Sequence, residues 1–452
     1  MGLGQYRWGS GWSAAWFFAD LGAKVTVTDQ KSADDLRAGV NALKKFKIRY
    51  VLGRHQPVDF TDTDLVVRNP VVPDDNQYIK LAKKRNVPIT SDVAVFAKYC
   101  PAPIIGVTGT RGKSTTAALL AHILRNRWPS VQLGGNIGLS PLRFLYQCQV
   151  GIPVVLELSS WMLETLAYEQ WKPKVSIITN IYRDHINHHG TLKAYIDAKA
   201  LITKRQTSDD YLVFNGLDNK VRTIAKKSKA RLVPFSNSSK LDVGCWRQTT
   251  RINCVLPNCP TKLTIRRPGS LPGEHNTENI LAATAAAAIM GLTKKNIQAG
   301  VDTFKGMPER QEVIGIKRGI TFIDDTTSTM PDATIAALRT ISAPIVLIIG
   351  GTDKQLDFRE LVLLIKKKVK TCVLLPGSAT EKILKLFEQH KTIRYIGPVR
   401  SMQEAVDEAV GAADRGSKIV LSPGATSFGL FINEFDRGRA FQQAVKRSMK
   451  RA

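Results

Sequence analysis

Ile104-Ile105-Gly106-Val107-Thr108-Gly109-Thr110-Arg111-Gly112-Lys113-Ser114-Thr115-Thr116 is an apolar run that breaks into glycines and then into a lysine followed by hydroxyl side chains. The pattern predicts a buried strand over Ile104 to Val107 and a loop at Gly109 and Gly112 in which backbone N–H groups can turn inward. A helix from Ser114 to about Arg125 would then aim its positive end at the same point. Such a cradle suits phosphate: Lys113 would reach the terminal phosphates of a nucleotide, and Ser114 or Thr115 would hold Mg2+. The strict P-loop spacing is not met, because Val107 stands where the first glycine should be and glycines occupy positions 106 and 109 instead. A nucleoside triphosphate site is the preferred reading, with an ordinary glycine-rich strand-to-helix turn as the alternative.

Upstream, Cys100-Pro101-Ala102-Pro103 restricts the backbone just before this strand and reads as a linker between domains. The residues before it follow a Rossmann-like grammar. Gly2-Leu3-Gly4, Gly9 and Gly11 precede a helix from Ser13 to Leu21 and a strand from Lys24 to Thr28 closed by Asp29, a candidate for a base or ribose contact. Short strands are expected at 64–68 and 88–90. The strand that ordinarily precedes the first glycine of such a unit is missing, which would open ladder groups on its neighbours, so the natural start is expected to lie upstream.

Downstream, strands and helices alternate from Ile104 to about Met307, as a second and larger α/β domain requires. The turn Gly134-Gly135-Asn136-Ile137-Gly138 could approach phosphate. Val154 to Ser160 is a buried strand ending in Glu157 and two hydroxyls; a glutamate closing an apolar strand is costly unless it is paired or binds a metal, and beside a phosphate loop Glu157 is a natural Mg2+ ligand. A further strand, Val175 to Asn180, runs into Asp184-His185-Ile186-Asn187-His188-His189, which holds three of the seven histidines. They could form a metal box or orient groups in phosphoryl chemistry. In the helix that follows, Lys199 lies one turn after Tyr195 and by itself reads as an ordinary helix lysine. Residues 231–272 are β-rich and proline-interrupted, an excursion or a hairpin. His275 and Asn276 open an alanine-rich helix, where side chains commonly cap. A third region offers a strand ending in Asp324-Asp325, hydroxyls from Thr326 to Thr329, a strand with the turn Gly350-Gly351-Thr352-Asp353-Lys354, and a last strand running into Ser422 to Phe428. Strand ends of this kind form the binding edge of open α/β sheets, which suits a multi-substrate enzyme.

Composition bounds these readings. A chain of 452 residues, 43% hydrophobic, has room for two to four domains with real cores. No apolar run reaches membrane-spanning length and no secretory signal is visible, so the cytoplasm is expected and a membrane partner is not. The six cysteines show neither metal-ligand spacing nor a paired framework and read as small buried or loop thiols, with a metal or disulfide cluster at the neighbouring Cys245, Cys254 and Cys259 as the alternative. The net charge of +27 raises nucleic acid as a partner. The basic residues are scattered in short groups, without a tail or an aromatic-interleaved stripe, so a solvated basic surface is preferred to a nucleic-acid-binding P-loop NTPase.

Taken together, the ordered motifs resemble the Mur ligase family of ATP-dependent amide-forming enzymes over nearly the whole chain. Gly109 to Thr115 is similar to the family's G-T-N-G-K-[ST] loop, with Arg111 in place of asparagine. Glu157 to Ser160, Asn180 through Asp184-His185, His275-Asn276 with Asn279, Arg310, Asp325, Gly350 to Lys354 and Leu421-Ser422-Pro423 follow in the family's order. The resemblance is strongest to members that add D-glutamate to UDP-N-acetylmuramoyl-L-alanine.

It implies an α/β fold of three domains. These are a Rossmann-like UDP-substrate domain at 1–98, a central P-loop ATPase-type parallel-sheet domain at 99–307 and a Rossmann-like amino-acid-binding domain at 308–452. It implies ATP and Mg2+, an acyl-phosphate intermediate and a monomer. Lys113, His185 and Lys199 would be catalytic, with Ser114, Glu157, His185 and Lys199, as a carbamate, near Mg2+. Gly109, Thr110, Arg111, Gly112, Lys113, Ser114, Thr115, Asn276, Asn279, Arg310 and Asp325 would serve ATP; Asp29 and Asn136 would meet the UDP substrate; Thr329, Lys354 and Ser427 would hold the amino acid. Besides Arg111, three positions depart from the family pattern: Asn187 replaces a second aspartate, Val71 a glycine, and Thr327 a lysine, the last removing a cation near the amino-acid pocket.

Overall fold

Short apolar runs near the N-terminus build two separate pairs of parallel strands in the computed structural model, which describes residues 1–4, 8–257, 259–268, 271, 273–353, 356–390, 392–427 and 430–450. Strand β1 (Val25–Asp29) pairs with β2 (Ile48–Leu52), and β3 (Val66–Val67) with β4 (Ile89–Thr90). Met1 and Gly2 reach both pairs: the Met1 amine donates to Val67 O at 2.8 Å and the Gly2 N–H to Thr28 O at 2.9 Å. The helix after the glycines runs from Ser10 to Asp20 and buries Trp12, Ala14, Ala15 and Phe17.

The central sheet has nine strands: β5 (Ile104–Thr108), β6 (Leu133–Gly135), β7 (Val154–Glu157), β8 (Val175–Ile178), β9 (Tyr211–Asn215), β10 (Arg231–Ser236), β11 (Gly244–Gln248), β12 (Arg251–Leu256) and β13 (Cys259–Arg266). Their spatial order is β13-β12-β11-β10-β9-β8-β5-β7-β6. Every residue of β5, β7 and β8 is buried, as a near-continuous apolar run covered on both faces requires. Helices Lys113–Leu124 and Glu274–Ile289 pack against one another, the alanines at 282, 283 and 285–287 allowing close approach. Residues 1–304 form one compact unit.

Residues 305–452 form the second unit. Its strands β14 (Glu312–Lys317), β15 (Ile320–Asp324), β16 (Ile345–Gly350), β17 (Val369–Leu375), β18 (Tyr395–Ile396) and β19 (Lys418–Leu421) lie in the order β14-β15-β19-β16-β17-β18, parallel except for the β14–β15 pair.

Several sequence expectations are corrected. The strand expected at 64–68 pairs only at Val66 and Val67. Of the two readings of the β-rich stretch 231–272, the hairpin holds and the excursion does not: β11 to β13 pair antiparallel in sequence, while β10 continues the parallel sheet from β9 and joins them to it. The β11–β12 register places Cys245 directly opposite Cys254, with Cα atoms 4.1 Å apart, and the two form a disulfide rather than remaining free thiols. The side chain of Cys259 lies outside the description. The alanine-rich helix begins at Glu274 with Gly273 at its N-cap, so His275 and Asn276 sit inside the first turn and do not cap it. No helix among the described residues is long and apolar enough to cross a membrane.

Candidate active site

The loop between β5 and the helix Lys113–Leu124 is shaped by two glycines with positive φ, Gly109 at +143° and Gly112 at +80°. A Cβ on Gly109 would stand less than 3.0 Å from Thr179 Oγ1, and one on Gly112 less than 3.0 Å from Asn279 Oδ1, so neither position has room for a side chain. Gly112 is the helix N-cap and provides no side-chain cap, leaving the first amides of the helix for an anion.

The end of β8 holds the loop from the other side. Asn180 O accepts from Thr110 N at 2.9 Å, and Asn180 Oδ1 accepts from Arg111 N at 2.8 Å. Arg111 O accepts from Thr179 Oγ1 at 2.6 Å and Asn180 Nδ2 at 3.1 Å. Position 111 is thus fixed through its backbone. The Thr110 hydroxyl lies 3.1 Å from the buried Tyr195 hydroxyl and accepts from Tyr182 N at 3.0 Å. Asn279 braces the loop from the alanine-rich helix, its Oδ1 accepting from Thr116 Oγ1 at 3.1 Å while its Nδ2 donates to Asn276 Oδ1 at 3.2 Å.

Three charged groups converge beside the loop. Glu157, at the end of β7, is 1% exposed. Its Oε1 accepts from Asn136 Nδ2 at 3.0 Å, while Oε2 is buried without a hydrogen-bond partner. A buried, orphaned carboxylate oxygen needs a cation or a donor, so the residues present fit a metal ion at this point. Lys199 is also 1% exposed, donates from Nζ to Gly109 O at 2.8 Å and lies 4.7 Å from the Tyr195 ring centroid. Burial drives its pKa well below the ordinary lysine value, the charge of Lys113 lowers it further, and Asp184 and Glu157 oppose the shift. Lys113 itself donates to Thr110 O at 3.0 Å. Ser114 is half-buried one residue further along the helix.

His185 has φ +52° and precedes the short helical turn Ile186–His189. Its Nε2 is 3.8 Å from Asp184 Oδ2, and burial lowers its pKa, partly offset by Asp184. The three histidines do not form one box. His188 Nε2 and His189 Nδ1 instead face the two oxygens of Glu164, at 3.2 and 3.3 Å. Asp29, at the end of β1, accepts from Leu3 N at 2.8 Å, Gly4 N at 3.4 Å and Lys31 N at 3.0 Å, so its carboxylate shapes the first glycine loop.

In the second unit Asp325 accepts from Ser328 Oγ at 2.6 Å, Ser422 Oγ at 2.7 Å and Gln311 N at 3.2 Å. Burial pushes its pKa up to about 6 against these bonds and the nearby Arg310 charge. Arg310 is exposed, Thr329 half-buried and Ser427 buried. Thr327 donates to Glu309 O at 3.0 Å. Lys354 and Phe428 lie outside the described residues.

Sequence reasoning passed over Thr179, Tyr195 as a partner of Thr110, and Glu164. Glu164 had a signal: it follows Ser160 by one helical turn, and both meet His189. Thr179 had none, being one hydroxyl in an apolar strand end.

A glycine-shaped loop at a helix N-terminus, an orphaned carboxylate and a buried lysine beside a parallel strand suit an anion and a cation, and the sequence matches show that the chain belongs to the Mur ligase family of ATP-dependent ligases. Residues 107–287 match the Mur ligase middle domain and residues 309–425 the Mur ligase glutamate ligase domain. The UDP-N-acetylmuramoylalanine–D-glutamate ligase of Roseiflexus sp. (strain RS-1) is 39% identical over 99% of this chain and 97% of its own. The Borreliella afzelii (strain PKo) enzyme of the same name is 36% identical, with 98% and 96% covered. Among solved structures, UDP-N-acetylmuramate–alanine ligase of Thermotoga maritima has the same fold, with a TM-score of 0.62 at 21% identity and 97% of each chain covered.

Proposed function

We infer that this chain is an ATP-dependent ligase that adds D-glutamate to UDP-N-acetylmuramoyl-L-alanine in the synthesis of peptidoglycan precursors. A carboxylate oxygen of the UDP-linked alanine attacks the γ-phosphorus of ATP and ADP leaves. The amine of D-glutamate then attacks the acyl carbon, loses a proton and expels phosphate, leaving an amide.

The observation that supports this site most is the pairing of Glu157, with one oxygen buried and unpartnered, and Lys199, whose burial favours the neutral amine. A neutral amine can add CO2 and release a proton, turning a lysine into an anion. Ser114, Glu157, His185 and carbamoylated Lys199 are the proposed Mg2+ ligands; bound Mg2+ would neutralise phosphate charge. Lys113 would act on the charge of the transferring phosphoryl group, and the amides from Gly109 to Thr115 would cradle the phosphates. Asn276, Asn279, Arg310 and Asp325 are proposed for ATP, Asp29 and Asn136 for the UDP substrate, and Thr329, Lys354 and Ser427 for the carboxylates of D-glutamate. In this reading residues 1–98, 99–307 and 308–452 divide the work among UDP substrate, ATP and amino acid, in a cytoplasmic monomer that needs neither nucleic acid nor membrane.

The test is ADP release with UDP-N-acetylmuramoyl-L-alanine and a panel of amino acids. D-Glutamate should be preferred; faster turnover with any other amino acid overturns the assignment. Thr327 favours one second reading, a ligase of the same family with a different amino acid, because a neutral hydroxyl spent on Glu309 O stands where the family pattern has a cation.

A further inference from the structure

Glu164, His188 and His189 form a cluster to which the proposed ligase reaction assigns no role. Glu164 projects from the helix Ser160–Leu166, and the histidines from the turn Ile186–His189. His188 Nε2 is 3.2 Å from Glu164 Oε2 and His189 Nδ1 is 3.3 Å from Glu164 Oε1, and one ligand atom from each residue can be chosen so that all lie within 4.8 Å. Tetrahedral zinc bonded at about 2.0–2.2 Å places neighbouring ligand atoms about 3.4 Å apart; each histidine nitrogen already stands near that distance from one oxygen of Glu164, and a modest rotation of the carboxylate would bring a single oxygen to both. The imidazole planes stand at 90° with centroids 4.6 Å apart, so the rings do not stack. The far nitrogen of His189 lies 2.9 Å from Ser160 Oγ, the outer hydrogen bond that holds a ligating imidazole in orientation. The His189 side chain is 2% exposed, that of His188 17% and that of Glu164 39%, so the cluster is closed on one side and open on the other, as an exchangeable ion needs.

The geometry points to a second metal centre, formed by Glu164, His188 and His189, that takes a divalent transition ion of the zinc class and is separate from the Mg2+ ligands. Two imidazoles and one carboxylate favour Zn2+ or Co2+ over Mg2+, which prefers oxygen donors and keeps its waters. The centre touches the reaction only through its neighbours. The Trp161 ring lies 5.1 Å from His185 and 5.3 Å from His188, centroid to centroid, and His189 lies 5.3 Å from Tyr195. An ion there would pin the turn that presents His185.

Co2+ titration of the metal-stripped full chain, with Mg2+ and ADP in excess, reads the site directly. The expected result is one Co2+ per chain with the intense visible absorption of four-coordinate cobalt, displaced by Zn2+, and quenching of fluorescence that Trp161→Phe removes. His188→Asn and Glu164→Gln should each weaken binding by at least about 100-fold, the upper end of what loss of an outer-shell partner alone costs. His185→Asn should leave the spectrum in place. Unchanged circular dichroism and melting temperature in either variant separate ligand loss from unfolding. Absence of a Co2+ equivalent, binding unaltered by His188→Asn and Glu164→Gln, or a spectrum lost only with His185→Asn would overturn the proposal. The first two outcomes leave a hydrogen-bonded Glu–His pair, and the third places the ion at the phosphate loop.

Discussion

Replacing Gly109 with alanine tests the loop geometry with a single methyl group. The new Cβ would stand less than 3.0 Å from Thr179 Oγ1 and 3.2 Å from both Asn180 N and Asn180 O, and the residue would have to keep φ near +143°. Holding alanine in that region costs about 1–3 kcal/mol. Rotating Thr179 away forfeits its 2.6 Å bond to Arg111 O, worth roughly 1–2 kcal/mol when buried. If the loop yields instead, the amides lose the arrangement that receives phosphate. At about 1.4 kcal/mol per tenfold, a total of roughly 2–5 kcal/mol corresponds to ATP affinity weakened about 30-fold to several thousand-fold. Calorimetric titration of ATP with Mg2+ measures it, with the melting temperature as a control for unfolding. Adding Thr179→Ala should recover part of the loss, because the nearest obstacle goes while Asn180 remains. ATP affinity within threefold of wild type in Gly109→Ala would refute the reasoning, and a double variant worse than either single one would show that the Thr179 hydroxyl is not the obstacle.

Lys113→Ala should lower turnover about 100- to 1,000-fold or more with the melting temperature kept, since the lysine acts on charge in the transition state; unchanged ADP release would refute its role. Lys199→Ala should be nearly inactive and partly rescued by a short carboxylic acid, measured as ADP release with and without acetate; full activity without rescue counts against a carbamate. Asp325 tests linkage. Its folded pKa of about 6 stands above the unfolded 3.8, so the penalty for its charge is absent below pH 4 and complete above pH 6. Stability should therefore fall as pH rises through that window, by about 3 kcal/mol from this group. Urea melts from pH 4 to 7 should give a flatter pH dependence for Asp325→Asn; superimposable slopes would remove the perturbation.

The sequence carried the phosphate loop because everything that makes it is local: an apolar strand, two glycines and a lysine at a helix start. It carried Glu157 for a related reason, since an acid closing a buried strand must find a partner wherever the strand lies. Lys199 was different. Its spacing from Tyr195 looked like any helix surface, and only the tertiary fold, which brings the helix Leu192–Ala200 to the loop after β5, buries the amine against Gly109 O, ninety residues away. The β-rich stretch was legible as a hairpin but not as part of the central sheet, because strand propensity says nothing of which edge a strand joins; the antiparallel register of β11 on β12 is what sets Cys245 against Cys254. Glu164 and His188 make the same point at shorter range. Twenty-four residues separate them, and three histidines in five positions suggested one ligand set. The backbone divides that set, because His185 takes φ +52° and stands before the turn whereas His188 and His189 lie within it, facing the helix that carries Glu164. Spacing along a chain fixes which donors are close in sequence; the turn decides which of them share an ion.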